Sequence, residues 1–383
     1  MPQIDLYPAL DFSFSRLRDE EKLLISLSRM DMPDSVRARA ASLIRERALD
    51  WDYFLELARV YRVIPFIYRH LQSLDVDIPD RIKQELREGA GLIFARNINA
   101  LADIKLCTEL FRKEGIEVLF IKGVPFMFDV YRDAGLRSFT DIDILVKAKD
   151  FRRTDKALKE KGFRLYENRG IFNHYRAQKM YSLDERVYLD VHMDLIGRRL
   201  HNRLLGIDKK KVWEDRREVC LRGVRIHTLD IVHGLLYHCM HVSIQHGFLG
   251  LIWYVDINEF MNRYGGGMDW DRVLDLARSY GIRRPLYYSL RFTKEMFGTP
   301  VPGYVMERLG RIERKLDRRV FTKIKANNAG TDYLAELVLF DRMRDTIKFV
   351  LLCFVLYPYL FAHFLSISGK VFRALFVRVR SEP

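Results

Sequence analysis

The chain has 383 residues, of which 49% are apolar and 30% are charged. These proportions exclude a disordered chain and a polytopic membrane protein, and the length allows two or three compact units. Lysine and arginine total 65 against 51 acidic residues, and this net charge of +14 suits a nucleotide, a nucleic acid or an acidic membrane surface as partner. The four cysteines form no Cys-x-x-Cys pair, so neither a zinc ribbon nor a disulfide framework is expected. The N-terminal residues lack the apolar core of a secretory signal, and we expect the protein in the cytoplasm.

Helical periodicity dominates the first part of the chain. A long amphipathic run extends from Asp80 to Lys113 and is followed by Gly115, a residue type that commonly ends helices. The preceding segments also repeat apolar residues at helical spacing. We therefore predict an N-terminal helical region over residues 1–114.

The pattern then changes to short apolar runs rich in β-branched residues. The predicted order is strand, helix, strand, helix, strand and hairpin, with the clearest strands at residues 116–121 and 141–146. This order is typical of a small α/β unit on a mixed sheet, which we assign to residues 115–195. A second hairpin near residues 219–226 opens the mainly helical C-terminal region, residues 196–383.

Two aspartates, Asp141 and Asp143, alternate with isoleucines on the second predicted strand. Alternation on a strand places both carboxylates on one face and both isoleucines on the other. Like charges so close together repel unless a cation lies between them, and Mg²⁺ prefers hard oxygen ligands. The pair therefore predicts half of a site for one or two Mg²⁺, with a solvated strand edge as the alternative interpretation.

The residues before this pair suit a phosphate. Lys122 and Gly123 lie at a junction between strand and helix, where a glycine lets the backbone approach a phosphate and a helix start offers free N–H groups. Arg137 and Thr140 come shortly before the aspartates. We predict that all four residues bind a nucleotide.

A third carboxylate follows on the predicted hairpin. Asp190 and His192 share one face of its second strand, so Asp190 can meet Asp141 and Asp143. A glycine-containing loop, an Asp-x-Asp pair and a later strand carboxylate are typical, in that order, of two-metal phosphoryl transfer. His192 can contact a phosphate, orient the carboxylate or bond to backbone.

One helix face in the C-terminal region carries His233, Tyr237 and His241. The His-Glu-x-x-His pattern of zinc enzymes is missing, so we interpret this face as packed or as lining a substrate pocket. Asp256 is predicted to be a buried hydrogen-bonding residue.

Residues 120–163 and 187–195 resemble the uncharacterised bacterial nucleotidyltransferase family of the DNA polymerase β superfamily, and the likeness extends to residues 49–71 and 225–260. The resemblance implies an α+β fold in which a small mixed-sheet nucleotidyltransferase core is flanked by N- and C-terminal helical regions. It also implies a Mg²⁺-dependent enzyme that moves a nucleoside monophosphate from an NTP, with ATP the first choice, to a hydroxyl-type acceptor and releases pyrophosphate.

The resemblance also assigns roles to residues. Asp141 and Asp143 match the metal-binding pair and Asp190 matches the third acidic position, so these three are the expected catalytic and metal-binding residues. Lys122 and Gly123 stand where the superfamily more often has Gly-Ser or Gly-Gly, and a serine hydroxyl is therefore missing. The expected nucleotide-binding residues are Lys122, Gly123, Arg137, Thr140 and His192.

The sequence leaves the acceptor open. A small molecule is favoured, and RNA or protein is the alternative, as for toxin-like members of the superfamily. A different class of function is a catalytically silent nucleotide-binding or interaction protein associated with the membrane. The uncharged run at residues 349–367 is long enough to span a bilayer, but Pro358 interrupts it, so we predict that it packs against protein. Its basic flanks predict at most weak contact with an anionic membrane, with peripheral attachment as the alternative to a purely cytoplasmic location.

Overall fold

The computed structural model describes residues 17–166, 178–183, 187–197, 199–313, 317 and 338–356. Within these residues, no helix is both long and apolar enough to cross a membrane. The uncharged run at residues 349–367 lies outside the described residues from position 357 onward, so its packing stays a prediction.

The N-terminal part is helical, as predicted. Helix α5 has the bounds that its periodicity indicated, and Gly115 beyond its end has the positive φ of 61° that favours glycine. Helix α3 begins where the Asp50 carboxylate accepts the Tyr53 N–H. The five helices are α1 (Asp19–Leu27), α2 (Asp34–Glu46), α3 (Trp51–Val60), α4 (Ile64–Ser73) and α5 (Asp80–Lys113).

A seven-stranded mixed sheet follows, in the order β3-β4-β5-β2-β1-β7-β6. Strand β2 is antiparallel to β1 and parallel to β5, and β1 is parallel to β7 on its other side. The strands are β1 (Val118–Ile121), β2 (Asp141–Val146), β3 (Arg164–Leu165), β4 (Gln178–Leu183), β5 (Val187–His192), β6 (Arg217–Leu221) and β7 (Val224–Thr228). Strands β6 and β7 form the hairpin expected near residues 219–226, and they extend the sheet past residue 195. The division into three regions stays a prediction.

The remaining helices lie between the strands and after them. Helix α6 is a single turn, and both α6 and α10 continue as one turn of π-helix, at Phe126–Val130 and His241–Gln245. The helices are α6 (Gly123–Pro125), α7 (Phe151–Glu160), α8 (Arg199–Leu204), α9 (Lys209–Glu214), α10 (Ile231–Met240), α11 (Leu251–Tyr264), α12 (Trp270–Tyr280), α13 (Arg283–Phe297), α14 (Gly303–Gly310) and α15 (Met343–Leu356). The predicted α+β fold, with helices N- and C-terminal to the sheet along the chain, is confirmed.

The hydrophobic core joins distant parts of the chain. Leu24 of α1 and Phe66 of α4 belong to the same buried cluster as Val255 of α11 and Leu290 of α13, all of them fully buried. The N- and C-terminal helices therefore share one core. A second cluster lies between the sheet and α5.

Candidate active site

Strand pairing brings together three residues that are far apart in sequence. The parallel register of β2 and β5 places Asp143 opposite Asp190. The antiparallel register of β1 and β2 places Ile121 opposite Asp143, so Lys122, the next residue, follows directly at the end of β1. The ammonium and two carboxylates therefore meet at one edge of three neighbouring strands.

The alternation of side chains along β2 explains the direction of the carboxylates. Ile142 and Ile144 are 1% and 0% exposed and pack in the cluster beneath α5. Leu145 faces the opposite side, where it packs with Tyr237 of α10. Asp141 and Asp143 share this second face by the period of two residues, as the alternation predicted.

Charged groups form a dense network at this edge. The Lys122 ammonium donates a hydrogen bond to Oδ1 of Asp143. His192 Nε2 lies 2.8 Å from Asp143 Oδ1 and 3.3 Å from Asp190 Oδ2. One ligand atom each from Asp143, Asp190 and His192 all lie within 4.8 Å of one another. All three side chains are buried.

Asp141 lies at the outer end of β2 and is half-buried. Its Oδ1 accepts a hydrogen bond from the Thr140 hydroxyl at 3.1 Å. The charge of Asp143, with burial, raises the pKa of the Asp141 carboxyl above its usual range, although Lys122 opposes the shift. Burial lowers the pKa of Lys122, but Asp143, Asp141 and Asp190 outweigh burial and the net shift is upward.

The donor set fits a hydrated divalent cation. Asp143 and Asp190 are each 2% exposed, and buried carboxylates are unfavourable without a neighbouring cation. The Tyr237 hydroxyl is also buried, and it has no hydrogen-bond partner among the described residues. Burial and the charges of Asp143, Asp190 and Asp141 raise the pKa of Tyr237 well above its usual value. Carboxylate oxygens are ligands that Mg²⁺ prefers, and His192 completes a group of three residues that could hold a metal ion.

A second cluster of potential ligands is already neutralised by protein. In this cluster, one ligand atom each from Asp215, Asp230 and His233 lie within 4.8 Å of one another, as in the first cluster. The Arg272 guanidinium, however, contacts Asp215 Oδ2 at 2.7 Å and Asp230 Oδ2 at 2.8 Å. The Arg272 guanidinium thus contacts both carboxylates of this cluster, whereas in the first cluster the Lys122 ammonium bonds to Asp143.

The first cluster lies in a cavity of about 280 Å³. Seven of the residues predicted from sequence line it: Lys122, Gly123, Arg137, Thr140, Asp141, Asp143 and Asp190. His192 is 0% exposed and lies against the carboxylates, outside the cavity wall. In this arrangement its hydrogen bonds orient Asp143 and Asp190.

Gly123 has a packing role in this structure. A Cβ atom at this position would lie 3.0 Å from Cβ of Phe139 and 3.9 Å from Cζ of Arg137. A side chain here would therefore push away the segment that leads into β2. Lys122, just before it, has φ 58° and ψ −124°, a conformation that glycine adopts more readily than lysine.

Arg137 is held by a partner that the sequence did not indicate. Its guanidinium donates to both carboxylate oxygens of Asp256 at 2.7 to 3.0 Å, and the Tyr131 hydroxyl donates to the same carboxylate at 2.8 Å. Burial lowers the pKa of Arg137, but Asp256 outweighs it and the net shift is upward. Arg137 and Asp256 are each 1% exposed, so this ion pair fixes the wall of the cavity.

The C-terminal helices supply the neighbouring part of the wall, where the Trp253 ring lies 5.2 Å from the Arg137 guanidinium carbon. His241 Nδ1 lies 2.7 Å from Gln245 Oε1, and His241 Nε2 lies 3.2 Å from His246 Nε2. The Trp253 ring stacks on His246 with centroids 4.8 Å apart. Burial lowers the pKa of His241 well below its usual value, which keeps it neutral. Helical spacing singled out His241, whereas Gln245, His246 and Trp253 were not predicted as site residues. His241 and Gln245 form the ends of the π-helical turn, and π-turns are frequent at functional sites.

Arg62 also lines the cavity without having been predicted, as do Phe139, Met180 and Gly197. Arg62 lies between α3 and α4, far in sequence from the strands, and it brings a third cationic side chain to the cavity. No motif in the sequence marks it.

Fold and site together define an α+β protein with a cluster of acidic residues on the sheet and cationic side chains around it. A family model described as "Uncharacterised nucleotidyltransferase" matches residues 47–298, which is more than half of the chain. The chain belongs to this family, as the resemblance indicated. The membership supports a nucleotidyl-transfer activity and implies an NTP substrate. No curated protein matches the chain.

Proposed function

We propose that this protein is a Mg²⁺-dependent nucleotidyltransferase that moves a nucleoside monophosphate from an NTP, with ATP the first choice, to the hydroxyl of an acceptor. The observation that carries the proposal is the register that sets Asp143 opposite Asp190 and beside Lys122. A protein that only binds nucleotides has no evident use for buried carboxylates that repel both one another and a phosphate.

Asp141, Asp143 and Asp190 are the residues that would hold Mg²⁺. Bound there, Mg²⁺ would neutralise phosphate charge and lower the pKa of the acceptor hydroxyl. Asp190 accepts the proton of that hydroxyl as the new bond forms. His192 keeps Asp143 and Asp190 in place through its two contacts.

The cations of the site act on the phosphates. Lys122 exchanges its contact with Asp143 for the triphosphate, whose charge is larger, and neutralises the pyrophosphate as it leaves. Arg137 lines the cavity while Asp256 fixes its orientation, so it presents a preorganised positive surface to the nucleotide. Thr140 hydrogen-bonds to Asp141 and sets the direction of that carboxylate.

The acceptor is the open part of the proposal. We favour a small hydroxyl-bearing molecule because the cavity measures only about 280 Å³, a volume at the lower limit of sites for small ligands. RNA and protein acceptors remain outcomes of the test.

The test uses an NTP labelled with ³²P at the α-phosphate and measures the transfer of the label to an acceptor. The full-length protein is incubated with Mg²⁺, each of the four NTPs in turn, and a small-molecule extract, RNA or protein. We expect the label on an acceptor together with pyrophosphate, and Asp143→Asn should lower the rate by about 100-fold or more because it removes a metal-binding charge. Asp52→Asn, an exposed carboxylate on α3, is the matched control and should keep wild-type activity.

Two results contradict the proposal. Equal rates for the wild type and Asp143→Asn would remove the carboxylate cluster from the mechanism. Tight NTP binding without transfer to any of the three acceptor pools would instead favour the silent nucleotide-binding protein.

A further inference from the structure

Arg62 differs from the other cations of the cavity because its charge is not committed to a protein partner. The Lys122 ammonium bonds to Asp143, and the Arg137 guanidinium bonds to Asp256. The Arg62 side chain is exposed where it lines the same cavity, and its guanidinium makes no hydrogen bond or ion pair with the residues that the structure describes. It is therefore available to an anion in the cavity.

The backbone at Arg62 is unusual for an arginine. Helix α3 ends in a Schellman motif, in which the Val63 N–H donates to the Ala58 carbonyl at 3.0 Å and the Arg62 N–H donates to the Arg59 carbonyl at 3.1 Å. The residue after the C-cap in this motif takes a positive φ, and Arg62 has φ 59°. Glycine is the usual residue at this position because it has no Cβ.

Three other helices of this chain use that glycine. Helices α5, α7 and α12 end with the same pair of backbone hydrogen bonds, and the equivalent residues are Gly115, Gly162 and Gly281, with φ of 61°, 96° and 75°. An arginine in the same place strains the backbone; Arg132 and Arg222 also have a positive φ, at 52° and 50°, but Arg62 alone of the three lines the cavity. Such strain commonly persists at functional sites, where the side chain is needed.

Arg62 lines the same cavity as Asp141, the outermost residue of the carboxylate cluster. Burial and the nearby Arg137 lower the pKa of Arg62, while Asp141 raises it, and the net shift is downward. Asp141 is the first residue of β2 and lies two residues before Asp143.

We propose that Arg62 binds the terminal phosphates of the nucleoside triphosphate, so that the N-terminal helical region supplies part of the substrate site. This inference rests on the proposed function, because the transferred α-phosphate must lie at Asp143 and Asp190. The β- and γ-phosphates then extend toward the outer end of the cluster. A guanidinium suits them because its planar fork donates two parallel hydrogen bonds to phosphate oxygens.

The test compares the binding of inorganic tripolyphosphate and of a nucleoside monophosphate to the full-length protein in Mg²⁺, by calorimetry. Arg62→Asn removes the charge, and asparagine tolerates a positive φ. We expect this variant to bind tripolyphosphate about 10- to 100-fold more weakly and the monophosphate as the wild type does. Arg62→Lys should recover part of the tripolyphosphate affinity. Arg59→Asn, which removes an exposed charge at the same helix end, is the matched control and should change neither affinity.

A stability measurement separates binding from a structural role. Arg62→Gly relieves the positive φ, so its thermal midpoint should be higher than that of the wild type while its tripolyphosphate affinity is as weak as that of Arg62→Asn. A lower midpoint for Arg62→Gly would contradict the proposal, since it would show that the side chain stabilises the fold.

Other outcomes overturn the proposal directly. Unchanged tripolyphosphate binding in Arg62→Asn would exclude the contact. If Arg62→Asn binds both ligands equally more weakly, Arg62 acts only through the general electrostatic potential of the cavity. If the variant binds Mg²⁺ more tightly and keeps its affinity for tripolyphosphate, Arg62 is a counter-ion of Asp141. If the wild type transfers no nucleotide but binds tripolyphosphate through Arg62, the proposed function fails and this inference holds. If it transfers nucleotide and Arg62→Asn binds as the wild type does, only this inference fails.

Discussion

At the scale of single residues, the centre of the site is the contact of one ammonium with several carboxylates. Lys122 donates to Asp143, and the charges of Asp141 and Asp190 also act on it. Lys122 donates this hydrogen bond from a backbone conformation that favours glycine, with φ 58°. The side chain therefore provides a positive charge beside the buried carboxylates.

This arrangement predicts how Lys122→Met responds to Mg²⁺. Without divalent cations the variant should lose about 3 kcal/mol of unfolding free energy, because buried carboxylates lose their adjacent cation. Saturating Mg²⁺ should restore most of that loss, since it binds the same carboxylates in the folded state only. Denaturant unfolding with EDTA and with Mg²⁺ measures both quantities.

A lysine whose partner is exposed serves as the control. Lys147→Met removes a lysine that pairs with the exposed Glu117 and should show neither effect. If Mg²⁺ stabilises Lys122→Met no more than it stabilises the wild type, the ammonium and the metal do not share a site.

At the scale of elements, the buried pair of Arg137 and Asp256 ties the segment before β2 to α11. Tyr131, which follows the first π-helical turn, adds a hydrogen bond to the same carboxylate. The cavity wall thus depends on α11, although the carboxylate cluster lies on the sheet. Asp256 acts on the site by positioning Arg137.

Asp256→Ala should destabilise the protein by about 3–5 kcal/mol because it leaves the Arg137 guanidinium buried without a counter-ion. Asp256→Asn keeps the shape and one acceptor oxygen, so its loss should be smaller. Asp271→Ala breaks an exposed pair with Arg308 and should cost less than about 1 kcal/mol. Urea unfolding compares the three variants, and a loss below about 1 kcal/mol for Asp256→Ala would contradict the structural role of the pair.

Local patterns in the sequence were enough for several of these elements. The period of α5, the alternation in β2 and the glycine beyond α5 each lie within a few neighbouring residues, and each predicted what is observed. The pairing of β7 with β1 and the contact of Arg137 with Asp256 are non-local. The latter joins residues 119 positions apart, and no periodicity in a single sequence indicates such a contact. Arg62 was missed because an arginine stands where helix-end patterns lead one to expect glycine.

At the scale of the whole molecule, the cavity is lined by segments that are far apart in the sequence. The sheet supplies the carboxylates, the segment between α3 and α4 supplies Arg62, and the segment around α10 and α11 supplies His241, His246 and Trp253. The shared core of the N- and C-terminal helices keeps the last two groups in place around the sheet. The positive net charge of the chain favours the approach of a polyanionic substrate to this cavity.

The most direct measurement is a crystal structure of the full-length protein with Mg²⁺ and an NTP analogue that cannot be cleaved between the α- and β-phosphates. The account predicts a cation bound by Asp143 and Asp190, with Asp141 as a further ligand, at about 2.1 Å. It also predicts the Lys122 ammonium moved from Asp143 to a phosphate, and the α-phosphate beside the cation. A nucleotide bound outside this cavity, or a cation held without either carboxylate, would contradict it.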